Sequence, residues 1–288
     1  MENFTRVLIL GASGMLGNTV FRLFSKSPGF SVFGTMRSNS SLNFLPAEFH
    51  QNVITGIDIE RFDNLTRILS ELRPNIVINC IGLIKQLKDA NDPIKVIPIN
   101  SIFPHRLAGV CALVGSRLIH MSTDCVFSGN KGYYSESDFP DAGDLYGRSK
   151  YLGEVDYANA ITLRTSIIGH ELNGNRSLIG WFLAQNGSVK GFEQAIFSGL
   201  PAVEIGLVIR DYVIPHPELR GLYHVSAEPI NKYELLSLVT KIYKKKIEII
   251  PDKQYVIDLS LNSSRFQKAT GFKASEWPEL VSNMLNFC

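Results

Sequence analysis

Cysteine is scarce in these 288 residues: Cys80, Cys111, Cys125 and Cys288 are the four, and none forms a CxxC pair. No histidine spacing accompanies them as a zinc site requires, so neither a metal centre nor a disulfide-stapled scaffold is expected. Cys80 and Cys111 lie in apolar stretches and read as small core residues, a usage that suits a reducing compartment. An excess of one charge is lacking too. The 29 Lys and Arg against 27 Asp and Glu leave a net charge of +2, which calls for no nucleic-acid partner. The one tight basic run, Lys244-Lys245-Lys246, ends a helical pattern, where cations suit the helix dipole. No apolar stretch approaches the roughly 20 residues of a membrane span, so no membrane partner is expected. The opening Met1-Glu2-Asn3-Phe4-Thr5-Arg6 runs straight into a strand and leaves no room for a signal peptide, which makes the cytoplasm the expected location. Internal repeats and low-complexity segments are absent as well.

The remaining composition, 45% apolar and 19% charged, is that of a globular protein long enough for one large α/β unit with a smaller appended domain. Arg6–Leu10 is a short apolar run cut off by Gly11, as expected of a strand buried on both faces. A helical pattern follows over Met15–Phe24, then a strand over Phe30–Thr35. Asp63–Leu72 reads as a helix with Asp63 as its cap and Pro74 beyond its end. Ile76–Ile81 reads as a strand, Asn100–Val114 as a helix, Arg117–Ser122 as a strand, Leu145–Asn159 as a helix and Ala160–Arg164 as a strand. This alternation predicts a Rossmann-type, doubly wound parallel sheet over residues 1–165 with right-handed crossovers. Beyond Thr165 the rhythm changes. A helix-like segment carries Trp181 and Phe182, a helix spans Lys232–Tyr243, a strand Ile247–Ile250, and a last helix ends at Phe287. Residues 166–288 are therefore expected to form mainly a smaller α/β cap, with segments returning to the first domain.

Between the first strand and helix lies Gly11-Ala12-Ser13-Gly14-Met15-Leu16-Gly17. Gly11 permits a tight turn, Gly14 lets backbone approach a pyrophosphate, and Gly17 allows close packing of the helix. The phosphates would meet the backbone N–H groups at the start of the helix, so Gly11, Ser13, Gly14, Met15, Leu16 and Gly17 are the candidate dinucleotide-binding set. The second strand ends Gly34-Thr35-Met36-Arg37-Ser38, without the acid that usually holds an NAD ribose. Arg37 can instead pair with a 2′-phosphate, with Ser38 as a neutral donor, although an ordinary exposed arginine is the competing reading. The expected cofactor is NADPH, with NADH as the alternative.

Tyr146-Gly147-Arg148-Ser149-Lys150 opens a helix and sets Tyr146 and Lys150 on one face. A neighbouring ammonium favours the phenolate, so Lys150 is expected to lower the tyrosine's pKa and let it exchange a proton near neutrality. Such pairs are common on helices. This one draws weight from Ser122-Thr123-Asp124, at the carboxyl end of a sheet strand, where a hydroxyl can hydrogen-bond a carbonyl oxygen gaining charge.

Gly11–Gly17, Ser122-Thr123-Asp124-Cys125-Val126-Phe127 and Tyr146–Lys150 together resemble the extended short-chain dehydrogenase/reductase superfamily, in its dTDP-4-dehydrorhamnose reductase-like branch of sugar-nucleotide reductases. Tyr134-Ser135-Glu136, Gly153-Glu154, Leu163-Arg164-Thr165-Ser166 and Gly221–Ser226 extend the resemblance over essentially the whole chain. It implies that Tyr146 is the catalytic acid, that Lys150 binds the nicotinamide ribose, and that Thr123 orients the substrate carbonyl. It also implies that Asn100 completes a tetrad through a water near the lysine, although a capping or surface asparagine remains the alternative. Asp58, with Ile59 beside it, matches the acid that contacts adenine, and the Asn79–Gly82 strand end, with Cys80, Ile81 and Gly82, passes beside the cofactor. The implied reaction is reduction of a 4-keto-6-deoxy sugar nucleotide in deoxysugar or surface-polysaccharide synthesis. A sugar-nucleotide epimerase or epimerase/reductase, and a non-catalytic NADP-binding regulatory subunit, are the alternatives on the same scaffold. A homodimer is open to it.

The pattern departs from this branch at Cys125, where tyrosine is usual; it reads as a steric change in the pocket wall, not as a nucleophile. The substrate wall implied by the resemblance comprises Thr123, Asp124, Cys125 and Val126. Residues 169–199 also differ from the branch. There Asn175 and Arg176 are candidates for substrate contact, Arg176 toward a diphosphate, and Trp181 for stacking, against the plainer readings of a surface arginine and a core tryptophan. These departures leave the reaction class standing and the particular sugar open.

Overall fold

The first strand, Thr5–Leu10 (β1), shows why a parallel sheet forms here. Val7, Leu8, Ile9 and Leu10 are all fully buried, with Val7 and Ile9 in one core cluster and Leu8 and Leu10 in another. A strand apolar on both faces must be covered on both faces, and helices supply the cover. A computed structural model describes residues 4–85 and 90–287. Cys288 and the first three residues, which entered the expectations above, lie outside the described residues.

Six further strands join β1: Phe30–Thr35 (β2), Val53–Ile54 (β3), Ile76–Asn79 (β4), Arg117–Thr123 (β5), Ala160–Thr165 (β6) and Gly221–His224 (β7). All are parallel, in the order β7-β6-β5-β4-β1-β2-β3. The order reverses between β1 and β4, which opens a crevice at the carboxyl ends of the strands. On one face pack Phe62–Leu72 (α2) and Phe103–Val114 (α4), through Leu65, Leu69, Leu107 and Cys111. On the other packs Met15–Ser25 (α1), through Val20, Phe21 and Phe24, in one cluster with Val208 and Val281 of the C-terminal half. The doubly wound architecture read from the sequence is the one observed.

The seventh strand was not foreseen. Gly221–His224 comes after a 55-residue excursion and returns to pair with β6. This excursion and the residues beyond β7 include the helices Leu178–Ala184 and Ala202–Val208, and a parallel pair of strands, Ser188–Phe192 with Glu248–Asp252. A small sheet also forms there, in which Ala195–Phe197 lies between Ile230–Asn231 and Ile257–Asp258. Ala202–Val208 lies directly on α1, where a side chain at Gly206 would press on Leu23.

Three local expectations are corrected. Asp63 does not cap α2: the cap is Arg61, and Asp63 sits in the first turn, where a carboxylate still suits the helix dipole. The helix read over Leu145–Asn159 ends at Leu152 (α5). Its cap, Gly153, is pressed against the Asn100 carbonyl, which leaves no room for a side chain, and the chain turns back toward β6. Finally, a continuous helical run covers Pro93–Val114: Pro93–Ile97 (α3), a π-helical turn over Pro98–Ile102, and α4. With 22 residues and a mean hydropathy of 1.3, it is long and apolar enough to cross a membrane by length and composition. Reading only uninterrupted apolar runs missed it, because Lys95, Asn100, His105 and Arg106 break the run without changing its average. Its inner face, Phe103, Leu107, Ala108 and Cys111, packs on the sheet.

Candidate active site

The glycine turn between β1 and α1 has the form the spacing predicted. Gly11 adopts φ +83°, open to glycine at no steric cost, and a Cβ there would lie 2.9 Å from Ile81 Cγ1. A Cβ on Gly17 would overlap the Gly11 carbonyl oxygen, so the third glycine serves the fit of helix to turn. Gly14, the N-cap of α1, differs: the nearest atom to its Cβ position is the Gly11 oxygen at 3.5 Å, and the rest is open. Ser13 and Gly14 are exposed, so the start of α1 presents backbone N–H groups at the surface, a cradle that fits a dinucleotide's phosphates.

At the end of β2, Met36 is buried and Arg37 and Ser38 are exposed. The Arg37 guanidinium makes no ion pair among the described residues. Ser38 is spent locally, capping the 3₁₀ turn Asn39–Phe44 by accepting from the Ser40 N–H. Asp58 follows closely, since the Ile57 N–H bonds the Met36 carbonyl, and its carboxylate accepts from the Glu60 N–H at 3.1 Å. Ile59 beside it is half-buried, as are Cys80, Ile81 and Gly82 after β4.

Thr123, Tyr146 and Lys150 converge at the carboxyl end of β5. Thr123 ends β5; its Oγ1 accepts from the Cys125 N–H at 3.1 Å and donates to Asp124 Oδ1 at 3.0 Å. The Thr123 hydroxyl acts on the Tyr146 phenol, pulling its pKa down against the effect of burial. Lys150, one turn further along α5, is buried and donates to the Met121 carbonyl at 2.7 Å. A Cβ on Gly82 would stand 3.4 Å from Asn100 Oδ1 and 3.9 Å from Lys150 Nζ, which puts Asn100, Gly82 and Lys150 in one cluster. Asn100 lies in the π-helical turn with its side chain fully engaged: Oδ1 accepts from the Leu83 N–H at 2.8 Å, and Nδ2 donates to the Leu83 carbonyl and to Ser149 Oγ. The reading of Asn100 as a surface residue is thereby corrected, since it is 1% exposed.

Electrostatics change one expectation. Burial draws the Lys150 ammonium down to about 8, against the opposing pull of Glu154 and Cys80. The Tyr146 phenol is not lowered. Burial raises it, and Cys125, Asp124 and Asp144 push in the same direction, with only the Thr123 hydrogen bond opposing. The phenol therefore stays protonated at neutral pH, the form a proton donor requires. Cys125 is pushed up to about 12, first by burial and then by Asp124, so its thiol is no nucleophile. Asp124 is raised by burial and restrained by hydrogen bonds from Thr123 and Ser166.

Lys85 was missed in the sequence. Its ammonium lies 5.6 Å from the centre of the Tyr146 ring and 2.7 Å from Asp144 Oδ2, the carboxylate whose other oxygen caps α5 through the Gly147 N–H. Burial alone would lower Lys85, but Cys125, Asp144 and Asp124 hold it above its ordinary value. No motif marks it; only its place three residues after Gly82 hinted at it. The opposite holds for Asn175, Arg176 and Trp181. All three are exposed, Trp181 at 40%, on the loop and helix of residues 169–184, and none has a described bond to the Thr123–Tyr146–Lys150 cluster. The core reading of Trp181 is corrected by that exposure. The Arg176 N–H bonds Glu171, which ties the loop to itself. Val126 is fully buried behind Cys125, packed with Phe127 and Tyr134, so it backs the wall and does not line it.

Residues 5–287 match the model of the family described as RmlD substrate binding domain. The probable low-salt glycan biosynthesis reductase Agl14 of Haloferax volcanii is 32% identical over 178 residues, 60% of this chain and 57% of that protein, so the match spans little more than half of that relative's length. A dTDP-4-dehydrorhamnose reductase of Aggregatibacter actinomycetemcomitans is 24% identical over 97% of this chain and 98% of that protein. Methionine adenosyltransferase 2 subunit beta of Mus musculus is 23% identical over 96% and 88%. Among solved structures, dTDP-4-dehydrorhamnose reductase from Bacillus anthracis in complex with NADP superposes with a TM-score of 0.79 at 22% identity, covering 98% of both chains.

Proposed function

The chain belongs to the RmlD substrate binding domain family, and from that premise we propose that it is an NADPH-dependent reductase of a 4-keto-6-deoxy sugar nucleotide. The observation that carries the reading is the meeting of Thr123, a protonated Tyr146 and the Lys150 ammonium at the carboxyl ends of the strands, across the crevice from the Gly14 cradle. Residues 1–165 hold the dinucleotide, with Gly11–Gly17 at the phosphates and Arg37 at the 2′-phosphate. Residues 166–288 mainly cap the sugar nucleotide, with Asn175, Arg176 and Trp181 as its outer contacts. When bound, the dinucleotide supplies the hydride. Thr123 then orients the keto oxygen, Tyr146 protonates it as it becomes an alkoxide, and Lys150 steadies the ribose and the developing charge. The same reading carries a cytoplasmic setting.

The test follows NADPH oxidation against a panel of 4-keto-6-deoxy sugar nucleotides carrying dTDP, UDP or GDP. Net NADPH consumption separates a reductase from an epimerase. Tyr146→Phe is expected to lower kcat by about 10²–10⁴-fold while NADPH still binds, and Arg37→Ala to weaken NADPH about tenfold with little effect on NADH. A Tyr146→Phe protein of wild-type activity would sink the enzymatic reading. It would favour instead a binding role such as the name of the mouse relative, a subunit of a transferase, denotes.

A further inference from the structure

Beneath the site runs a row of buried polar residues that no step above uses. Ser122, Arg164 and His224 are direct cross-strand neighbours on β5, β6 and β7, one residue short of the Thr123–Thr165 pair at the strand ends. All three are buried, Arg164 at 2% exposure and His224 fully. Glu154 comes down on this row from the end of α5. Its Oε1 accepts from Ser122 Oγ and from Arg164 Nε, each at 2.6 Å, and its Oε2 from Arg164 Nη2 at 2.6 Å. Arg164 Nη1 meets His224 Nε2 at 3.2 Å, and the guanidinium lies over the Phe127 ring at 5.1 Å.

A buried ion pair is a poor device for stability alone, because desolvation offsets most of its attraction and apolar residues of the same volume would serve as well. Its strength is geometry, since a bidentate guanidinium–carboxylate pair fixes two elements in distance and angle. Here the fixed elements are those that carry the site. Ser122 is the residue before Thr123. Lys150 is one helical turn before Glu154. Gly153, between them, seats on the Asn100 carbonyl with no room for a side chain. The groups that face Lys150 from the elements around it are Glu154 at the end of α5, Cys80 after β4 and His120 on β5, which burial keeps neutral. Glu154 is the one carboxylate among them.

We propose that Glu154 is a positioning residue for the reaction: clamped on Ser122 and Arg164, it holds Lys150, which is bonded to the Met121 carbonyl beside Ser122, in register with Thr123 and is the carboxylate counter-charge to its ammonium. The inference rests on the role given to Lys150 under Proposed function. Its test does not need a substrate. The pH dependence of trace acetylation of Lys150 by acetic anhydride, read by peptide mass spectrometry, reports the pH at which that amine loses its proton. Glu154→Gln is expected to move this midpoint about one pH unit below wild type and Glu154→Asp to leave it near wild type. Turnover of NADPH is expected to fall tenfold or more in Glu154→Gln at pH 7, mainly in kcat. Should Glu154→Gln leave Arg164 unpaired and fail to fold, the double variant Glu154→Leu/Arg164→Met removes the pair without a stranded charge; with wild-type circular dichroism, it too must show the lowered midpoint. A folded variant lacking Glu154 whose Lys150 midpoint stays at the wild-type pH overturns the proposal. A protein inert toward every sugar nucleotide would overturn the function proposed above and leave the labelling result standing.

Discussion

The two glycines that close the turn onto α1 make opposite predictions, and the contrast separates ligand binding from folding. Gly14 has φ −80° and ψ 163°, a conformation alanine adopts freely, and its Cβ would meet one atom, the Gly11 oxygen, at 3.5 Å. Gly14→Ala should therefore leave the fold intact, or stabilise it by up to about 1 kcal/mol through the unfolded chain. The new methyl would nevertheless stand on the surface where a pyrophosphate must approach the backbone. Loss of one close backbone contact to phosphate amounts to ~1.4–2.8 kcal/mol, a fall of about 10- to 100-fold in NADPH affinity. Gly17→Ala is the reverse case. Its methyl would overlap the Gly11 carbonyl and crowd the Ala12 Cα, both of them backbone, so helix and turn must part at a cost of ~1–3 kcal/mol in stability. NADPH fluorescence titration with thermal unfolding on both variants measures each half. The reasoning fails if Gly14→Ala binds NADPH as the wild type does, or if it loses as much stability as Gly17→Ala.

Lys85→Met should change melting temperature little, because an ion pair this exposed contributes at most about 1 kcal/mol. It leaves Asp124, Asp144 and Cys125 around the Tyr146 phenol without their facing cation, so kcat should fall about tenfold; an unchanged kcat would show that Lys85 serves only the surface. Acid should destabilise the protein below pH 6.5. Burial, seconded by Arg164, holds His224 at about 3, so between those values the unfolded chain takes up a proton that the folded one refuses. This lowers stability by about 2 kcal/mol at pH 5 and by nothing above pH 7.5. Denaturant titrations at the two pH values, on wild type and His224→Gln, would contradict this if the variant kept the full pH difference.

Much of this molecule is legible along the chain because its signals are local. The strand read over Arg6–Leu10, the turn at Gly11–Gly17 and the Tyr146–Lys150 spacing are each short, local features, and each is found within a residue of where it was read. Misreadings cluster where a distant contact overrules a local pattern. The helical pattern of residues 145–159 is stopped at Gly153 by the Asn100 carbonyl, some fifty residues earlier in the chain. Asn100, a polar residue in a helical stretch, is buried only because the loop after β4 presents both backbone groups of Leu83 to its amide.

Sequence by itself determined the sheet's alternation with helices, the glycine turn between the first strand and helix, and the placing of Tyr146 and Lys150 on one helix face, since period and spacing encode what one segment does to itself. Only the tertiary structure decided the rest. It brought Lys85 over the Tyr146 ring, returned Gly221–His224 to the sheet, and set Ser122, Arg164 and His224 in one row under Glu154. It also reversed the expected direction at Tyr146, because a pKa answers to burial and to every charge nearby, and neither is written in the spacing of two residues.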